Sequence, residues 1–164
     1  MKDYWICNKS QVADRTSKYD ITHVLSALDP KERPFLHPKR PVVHKLFHFY
    51  DTEDAHAPFA PTREDVEKIL QWTATLPDDA HLLVHCFAGM CRSTSMALLA
   101  DLQKNYDPKV GWQPHWDKLL KKRDIAVPNR LILAYGLVTL GLQDIGLYEH
   151  VDAYVNRMIL ENRW

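Results

Sequence analysis

The sequence is short of cysteine and of net charge, and each shortage excludes something. Three cysteines, Cys7, Cys86 and Cys91, are odd in number and lack framework spacing, which excludes a disulfide scaffold. Lys and Arg number 21 and so do Asp and Glu, so the formal charge is zero and no broad positive field exists to hold nucleic acid. The basic runs HPKR (37–40) and KKR (121–123) read as solvated surface rather than docking patches. No apolar run is long enough to cross a bilayer; the longest, LILAYGLVTLGL at 131–142, reads as a buried helix. The opening residues, MKDYWICNKS, lack the apolar core of a signal peptide. The nine histidines show no tight ligand spacing, so neither a metal nor another cofactor is expected. Together these features predict a cytoplasmic protein that engages neither membrane nor nucleic acid.

What is present is enough for one domain over residues 1–164 with a real core. THVLSAL (22–28), KLFHFY (45–50) and LLVHC (82–86) read as strands. The first and last are too apolar to be half exposed, so they are expected in the sheet centre, covered on both faces. Thr62 and Asp65 form a capping box that opens a helix burying Val66, Ile69, Leu70 and Thr73. Helices are also expected over 93–105, 117–124 and 128–141, the last apolar nearly all round and so placed centrally. A final helix carries the stripe Val151, Tyr154, Val155, Met158 and Ile159. Strands alternating with helices predict an α/β fold, with a central, mostly parallel sheet flanked by helices. Ligands of such sheets bind beyond the carboxyl ends of the strands.

One strand end carries unusual chemistry. In LLVHCFAGMCRSTS the strand stops at Cys86, a short loop with small residues follows, and a hydroxyl-rich helix begins near Ser93. A short loop entering a helix can turn successive N–H groups inward to bind an anion, and the helix terminus adds positive potential. Gly89 supplies backbone freedom to such a loop. Arg92 adds a planar fork that matches two phosphate oxygens. The candidate phosphate cradle is therefore Phe87, Ala88, Gly89, Met90, Cys91 and Arg92. Thiols beside cationic groups at helix N-termini ionise readily, so a nucleophilic thiolate is expected at Cys86. Ser93 is placed to hydrogen-bond the sulfur, and His85 to order the loop. Cys91 either fills a tight corner or links to Cys86 on oxidation.

HCFAGMCRSTS resembles the signature loop of the cysteine-dependent protein tyrosine phosphatases: His-Cys, five residues, Arg, then Ser or Thr. Rhodanese-type sulfurtransferases carry a shorter loop, and low-molecular-weight tyrosine phosphatases carry theirs near the N-terminus. DIAVPNRLIL is similar to the dual-specificity phosphatase segment in which a Pro-Asn pair opens a helix, and the pair together with the loop is similar to compact bacterial tyrosine-phosphatase-like proteins. The likeness runs in order over residues 20–142 and implies a small dual-specificity-phosphatase-like domain. It implies that Asn129 lines the site and helps place the hydrolytic water, although a plain helix cap would look the same.

The same resemblance implies a general acid on a loop before the cysteine. The candidates in FHFYDTEDAHAP are Asp51, favoured because it follows the apolar strand, Asp54 as the alternative, and Glu53 last. The implied activity is hydrolysis of a phosphorylated protein or a small phosphate ester through a phosphocysteine on Cys86, without metal. A catalytically inactive phosphate-binding module and a phosphatase for a non-protein ester are the alternatives. The uncharged Phe87, Ala88, Met90 and Cys91 favour a phosphorylated side chain over a polyphosphorylated head group. The segments 29–44 and 107–116, with the aromatics of GWQPHW, are expected to set pocket depth.

Overall fold

A computed structural model describes residues 1–33 and 41–161. The run HPKR, and most of the proline-rich stretch around it, lie outside the described residues. Four parallel strands form one sheet in the order β1-β4-β2-β3: β1 (Asp3–Cys7), β2 (His23–Leu28), β3 (Val43–His48) and β4 (His81–His85). The two strands expected at the centre are there, and both are buried from their second residue onward. The edge strand β3 begins two residues before the expected KLFHFY segment; past its end, Phe49 N–H still bonds Leu28 O at 3.0 Å. β1 was not expected. Its short run DYWIC carries too few residues for a clear alternation, and its strand character comes from pairing with β4.

Both sheet faces are covered, which explains the unbroken apolar character of β2 and β4. On one face Tyr4, Ile6, Leu25, Leu82 and Val84 meet the helices α2 (Arg63–Ala74), α3 (Arg92–Asn105) and α5 (Arg130–Leu140). On the other, Cys7, Val24 and Leu83 pack with Val12 of the short helix α1 (Val12–Lys18) and with Ile21. The capping box at Thr62 forms as expected: Asp65 N–H donates to Thr62 Oγ1 at 3.1 Å, and Thr62 N–H donates to Asp65 Oδ2 at 2.9 Å. Val66, Ile69, Leu70 and Thr73 are the residues α2 buries.

Two expectations are corrected. The central helix is α3, buried continuously from Arg92 to Leu102; α5 buries Ile132, Leu133, Gly136 and Leu137 but leaves Val138 exposed. The buried polar residues Ser95 and Asp101 of α3 are satisfied. Ser95 Oγ donates to Asn129 O at 2.9 Å, and Asp101 accepts from Lys118 at 2.8 Å and pairs with His115 at 2.6 Å. The segment GWQPHW is not a pocket-forming loop throughout, because α4 (Gln113–Lys122) starts inside it. Trp116 is buried against the rings of His150 and Tyr154 on α6 (Leu147–Leu160). Among the described residues no helix is long and apolar enough to cross a membrane.

Gly136 sets the approach of α5 to α3. A Cβ there would lie 2.2 Å from Leu99 Cδ1, and Leu99 is fully buried. Gly136→Ala gains ~1 kcal/mol of helix propensity but forces an overpacking that costs ~1–3 kcal/mol. The expected outcome is a net loss of stability, read as a lowered urea midpoint; a raised midpoint would contradict this packing.

Candidate active site

All four strands point their carboxyl ends the same way, so Asn8, Asp29, Tyr50 and Cys86 follow along one edge of the sheet. Between Cys86 and α3 the loop carbonyls are captured from outside. Phe87 O accepts from Lys9 N–H at 3.0 Å and Met90 O from Val127 N–H at 3.0 Å. The Arg123 guanidinium donates to Gly89 O at 2.8 Å and Ala88 O at 3.2 Å. Cys91 O accepts from Ser95 N–H at 3.2 Å and Asn129 N–H at 3.4 Å. Among the described residues no protein acceptor is paired with the N–H groups of Phe87, Ala88, Met90 or Cys91. With the carbonyls turned out, these amides are left for the concave side, the arrangement that suits an anion. Arg123 therefore corrects the reading of KKR as solvated surface: it clamps the loop, and Lys122 pairs with Asp3.

Gly89 is required twice over. Its φ is +70°, and a Cβ would sit 2.5 Å from the carbonyl carbon and oxygen of Cys7. The loop thus leans on the end of β1, where only glycine fits.

Cys86 is 1 % exposed; its Sγ lies 3.2 Å from Ser93 Oγ and accepts from Gly89 N–H at 3.2 Å. Arg92, at the first turn of α3, is 3 % exposed. Its Nη1 donates to Asp29 Oδ1 at 2.8 Å and to Phe49 O at 2.7 Å. Its Nε is buried without a hydrogen-bond partner; the nearest carboxylate oxygen, Asp51 Oδ2, is 3.7 Å away, too far for a hydrogen bond. A buried donor left unpaired costs about 1–3 kcal/mol, so this N–H marks a place for an acceptor.

Asp51 follows β3 at the same edge. Its Oδ1 accepts from Asn129 Nδ2 at 3.0 Å, and Asn129 Nδ2 also donates to Thr52 O at 3.0 Å. Asn129 Oδ1 meanwhile accepts from Ile132 N–H at 3.0 Å, capping α5. The residue is both a cap and a clamp on Asp51. Asp54 is exposed and turned to its own loop, accepting from His56 N–H at 2.9 Å. Glu53 is held by the Arg130 guanidinium. The structure thus gathers Cys86, Ser93, Arg92, Asp51 and Asn129, and leaves Asp54 outside.

The other two cysteines are held protonated. Burial pushes the Cys7 thiol up to about 12. Burial, with the nearby Asp51 charge, raises that of the half-buried Cys91 as well, which works against its reactivity. His85 is fully buried, bonded through Nε2 to Ser26 Oγ at 2.5 Å, with Ser26 Oγ in turn 2.8 Å from His44 Nε2. Ser26 is its register partner on β2. Burial lowers the His85 pKa to about 4, so the ring is neutral and fixes the end of β4 rather than exchanging protons. Among the described residues no group of three or more His, Cys, Asp and Glu side chains is placed to hold a metal ion.

Sequence reasoning missed Asp29, Lys9, Arg123 and Arg130. Asp29, directly after β2, was legible only as part of a proline-rich loop. Nothing in the local sequence around these residues marks which atoms of the signature loop they meet.

No protein-family profile and no curated protein matches the sequence. Solved structures do. DUSP15 aligns with a TM-score of 0.62 at 18 % identity, over 93 % of this chain and 92 % of that one. The Yvh1 phosphatase domain from Chaetomium thermophilum gives 0.61 at 20 % identity, over 90 % and 94 %. Human DUSP28 gives 0.61 at 13 % identity, over 84 % and 91 %. The chain has the fold of the dual-specificity branch of the protein tyrosine phosphatases.

Two outcomes follow from this geometry. Gly89→Ala strains the backbone and drives a methyl into Cys7, so inorganic vanadate binding measured by calorimetry should weaken at least about tenfold, in line with a loss of ~1.4 kcal/mol or more; unchanged binding would refute the cradle. His85 is neutral when folded but titrates near ~6.5 when unfolded. Its stabilising contribution is complete above ~6.5 and is lost as pH falls toward about 4. Urea unfolding across that window should show falling stability, and His85→Gln should flatten part of the fall.

Proposed function

We propose that this chain is a cysteine-dependent phosphatase that hydrolyses phosphate monoesters through a phosphocysteine intermediate. The observation that carries this is the convergence of one buried thiol, a ring of undonated amides, an unpaired buried guanidinium N–H and a carboxylate held at their edge. The loop amides and Arg92 bind the phosphoryl oxygens, with Arg92 aimed by Asp29 and Phe49 O. Phosphoryl transfer is largely positioning and charge stabilisation, which such donors supply.

In the first step Cys86 Sγ attacks phosphorus, the S–P bond forms and the ester P–O bond breaks. The leaving oxygen takes the proton of Asp51. In the second, Asp51 accepts a proton from water as the water oxygen attacks phosphorus. The S–P bond breaks, inorganic phosphate forms and the thiolate returns. The Ser93 hydroxyl steadies the sulfur as it leaves. Both amide hydrogens of Asn129 are occupied by Asp51 and Thr52, so Asn129 contributes by holding Asp51 rather than by guiding the water itself.

The substrate class is a phosphorylated protein side chain or a small phosphate ester. Phe87, Ala88, Met90 and Cys91 bring no charge to the loop, and Phe87 is 61 % exposed beside it, an apolar surface for the body of a monoester. A reducing compartment such as the cytoplasm suits three free cysteines.

The test is hydrolysis of an activated aryl phosphate with chelator present. Cys86→Ser should abolish turnover. Asp51→Asn should lower kcat by ~10²–10⁴ on an ester with a poor leaving group, and Asp54→Asn should leave it nearly unchanged. An inert unmodified chain that still binds vanadate would overturn the reading in favour of a phosphate-binding module.

A further inference from the structure

A cleft of 420 Å³ lies between the loop that carries Asp51 and the C-terminal helix, lined by Asp51, Thr52 and Glu53 of the loop, by Val127 ahead of α5, and by Val155 and Ile159 of α6. One side chain bridges the gap. Arg130 presents its Nε and Nη2 to the Glu53 carboxylate as a fork, with Nε 2.8 Å from Oε2 and 3.0 Å from Oε1. The Arg130 N–H donates to the same carboxylate at 2.8 Å. Its remaining Nη1 donates to Asp152 at 2.6 Å and Asn156 at 2.8 Å, both on α6. The Arg130 side chain is 21 % exposed. A fork set in a network of this kind holds geometry in a way that an isolated surface pair does not.

We infer that Arg130 is a positioning residue for the general acid: it ties the Asp51–Glu53 segment to α6 and keeps the Asp51 carboxyl fixed beside Arg92. The inference rests on the reading of Asp51 as proton donor. Asn129 alone would leave Glu53 free and the segment anchored at one end. With Arg130 engaged, both ends are held, by two adjacent residues at the start of α5. The acid is therefore set in place before substrate arrives, and α6 becomes part of the catalytic frame although it touches no reacting atom.

General-acid help matters most when the leaving group is a poor one. Kinetics would be compared on phenyl phosphate, with a basic leaving phenolate, and on a dinitrophenyl phosphate, whose leaving group needs little protonation. Arg130→Met should lose about tenfold or more in kcat on the phenyl ester, with KM nearly unchanged and the dinitrophenyl ester affected less than about twofold. Glu53→Gln, which removes the fork from an exposed loop side chain, should show the same selectivity. Arg130→Lys should recover little, since a point charge cannot make the fork. In an Asp51→Asn background, Arg130→Met should add no further loss. Equal losses on both esters, no loss, or an additive loss in that background would each overturn the inference. Hydrogen exchange supplies a readout that needs no turnover. The Asp54 and His56 amides, which donate to Thr52 Oγ1 at 3.2 Å and to Asp54 Oδ1 at 2.9 Å, should exchange about tenfold faster in Arg130→Met, while those of α3 do not change. Unchanged exchange would overturn the inference even if the chain proved to be no hydrolase, and Cys86→Ser tests that separate question.

Discussion

The outward capture of the carbonyl groups of residues 87–91 is the constraint on which the site depends. A loop this short cannot turn its amides toward a common centre unless something takes its carbonyls on the other side. The partners come from separated places: Lys9 after β1, Arg123 at the end of α4, Val127 and Asn129 before α5. The sheet order brings them together, because β1 lies beside β4 and the α4–α5 connection passes the start of α3. Gly89 completes the arrangement by letting the loop touch the backbone of Cys7. The cradle is thus a property of the whole fold rather than of an eleven-residue motif.

Charge is organised on the same principle. Arg92 is nearly fully buried, and an unpaired buried guanidinium would be costly. Asp29 and Phe49 O satisfy one of its nitrogens and leave Nε for the site. Lys9 and Glu32, 2.9 Å apart, link the segments that follow β1 and β2 across the end of β4. Basic and acidic residues number 21 each, so no net charge of the chain adds to the potential at the loop.

Much of the candidate site was legible because its residues stand in one continuous stretch. Cys86, Gly89, Arg92 and Ser93 stand within eight residues, and the strand before them is apolar enough to be placed centrally. The parallel α/β architecture followed from periodicity and from the capping box at Thr62. What stayed hidden depends on contacts across the fold. DYWIC becomes a strand only beside β4. Asp29 and Arg123 matter only once Arg92 and the loop carbonyls have been placed. The helix over 128–141 was placed centrally on its hydropathy, yet α3 is the more buried of the two, because its Ser95 and Asp101 find partners inside the fold. The aromatics of GWQPHW pointed to a ligand pocket, but Trp116 spends its surface on α6. The choice between Asp51 and Asp54 was open in sequence because both sit in one acidic loop; the hydrogen bonds of Asn129 separate them by position.

The most direct measurement on the central claim is acid quench of the chain during turnover of an aryl phosphate, followed by mass spectrometry of the proteolytic peptides. The account predicts a phosphoryl group on the peptide carrying Cys86, attached to that sulfur and absent from Cys86→Ser. Turnover with the phosphoryl group on another residue would contradict it.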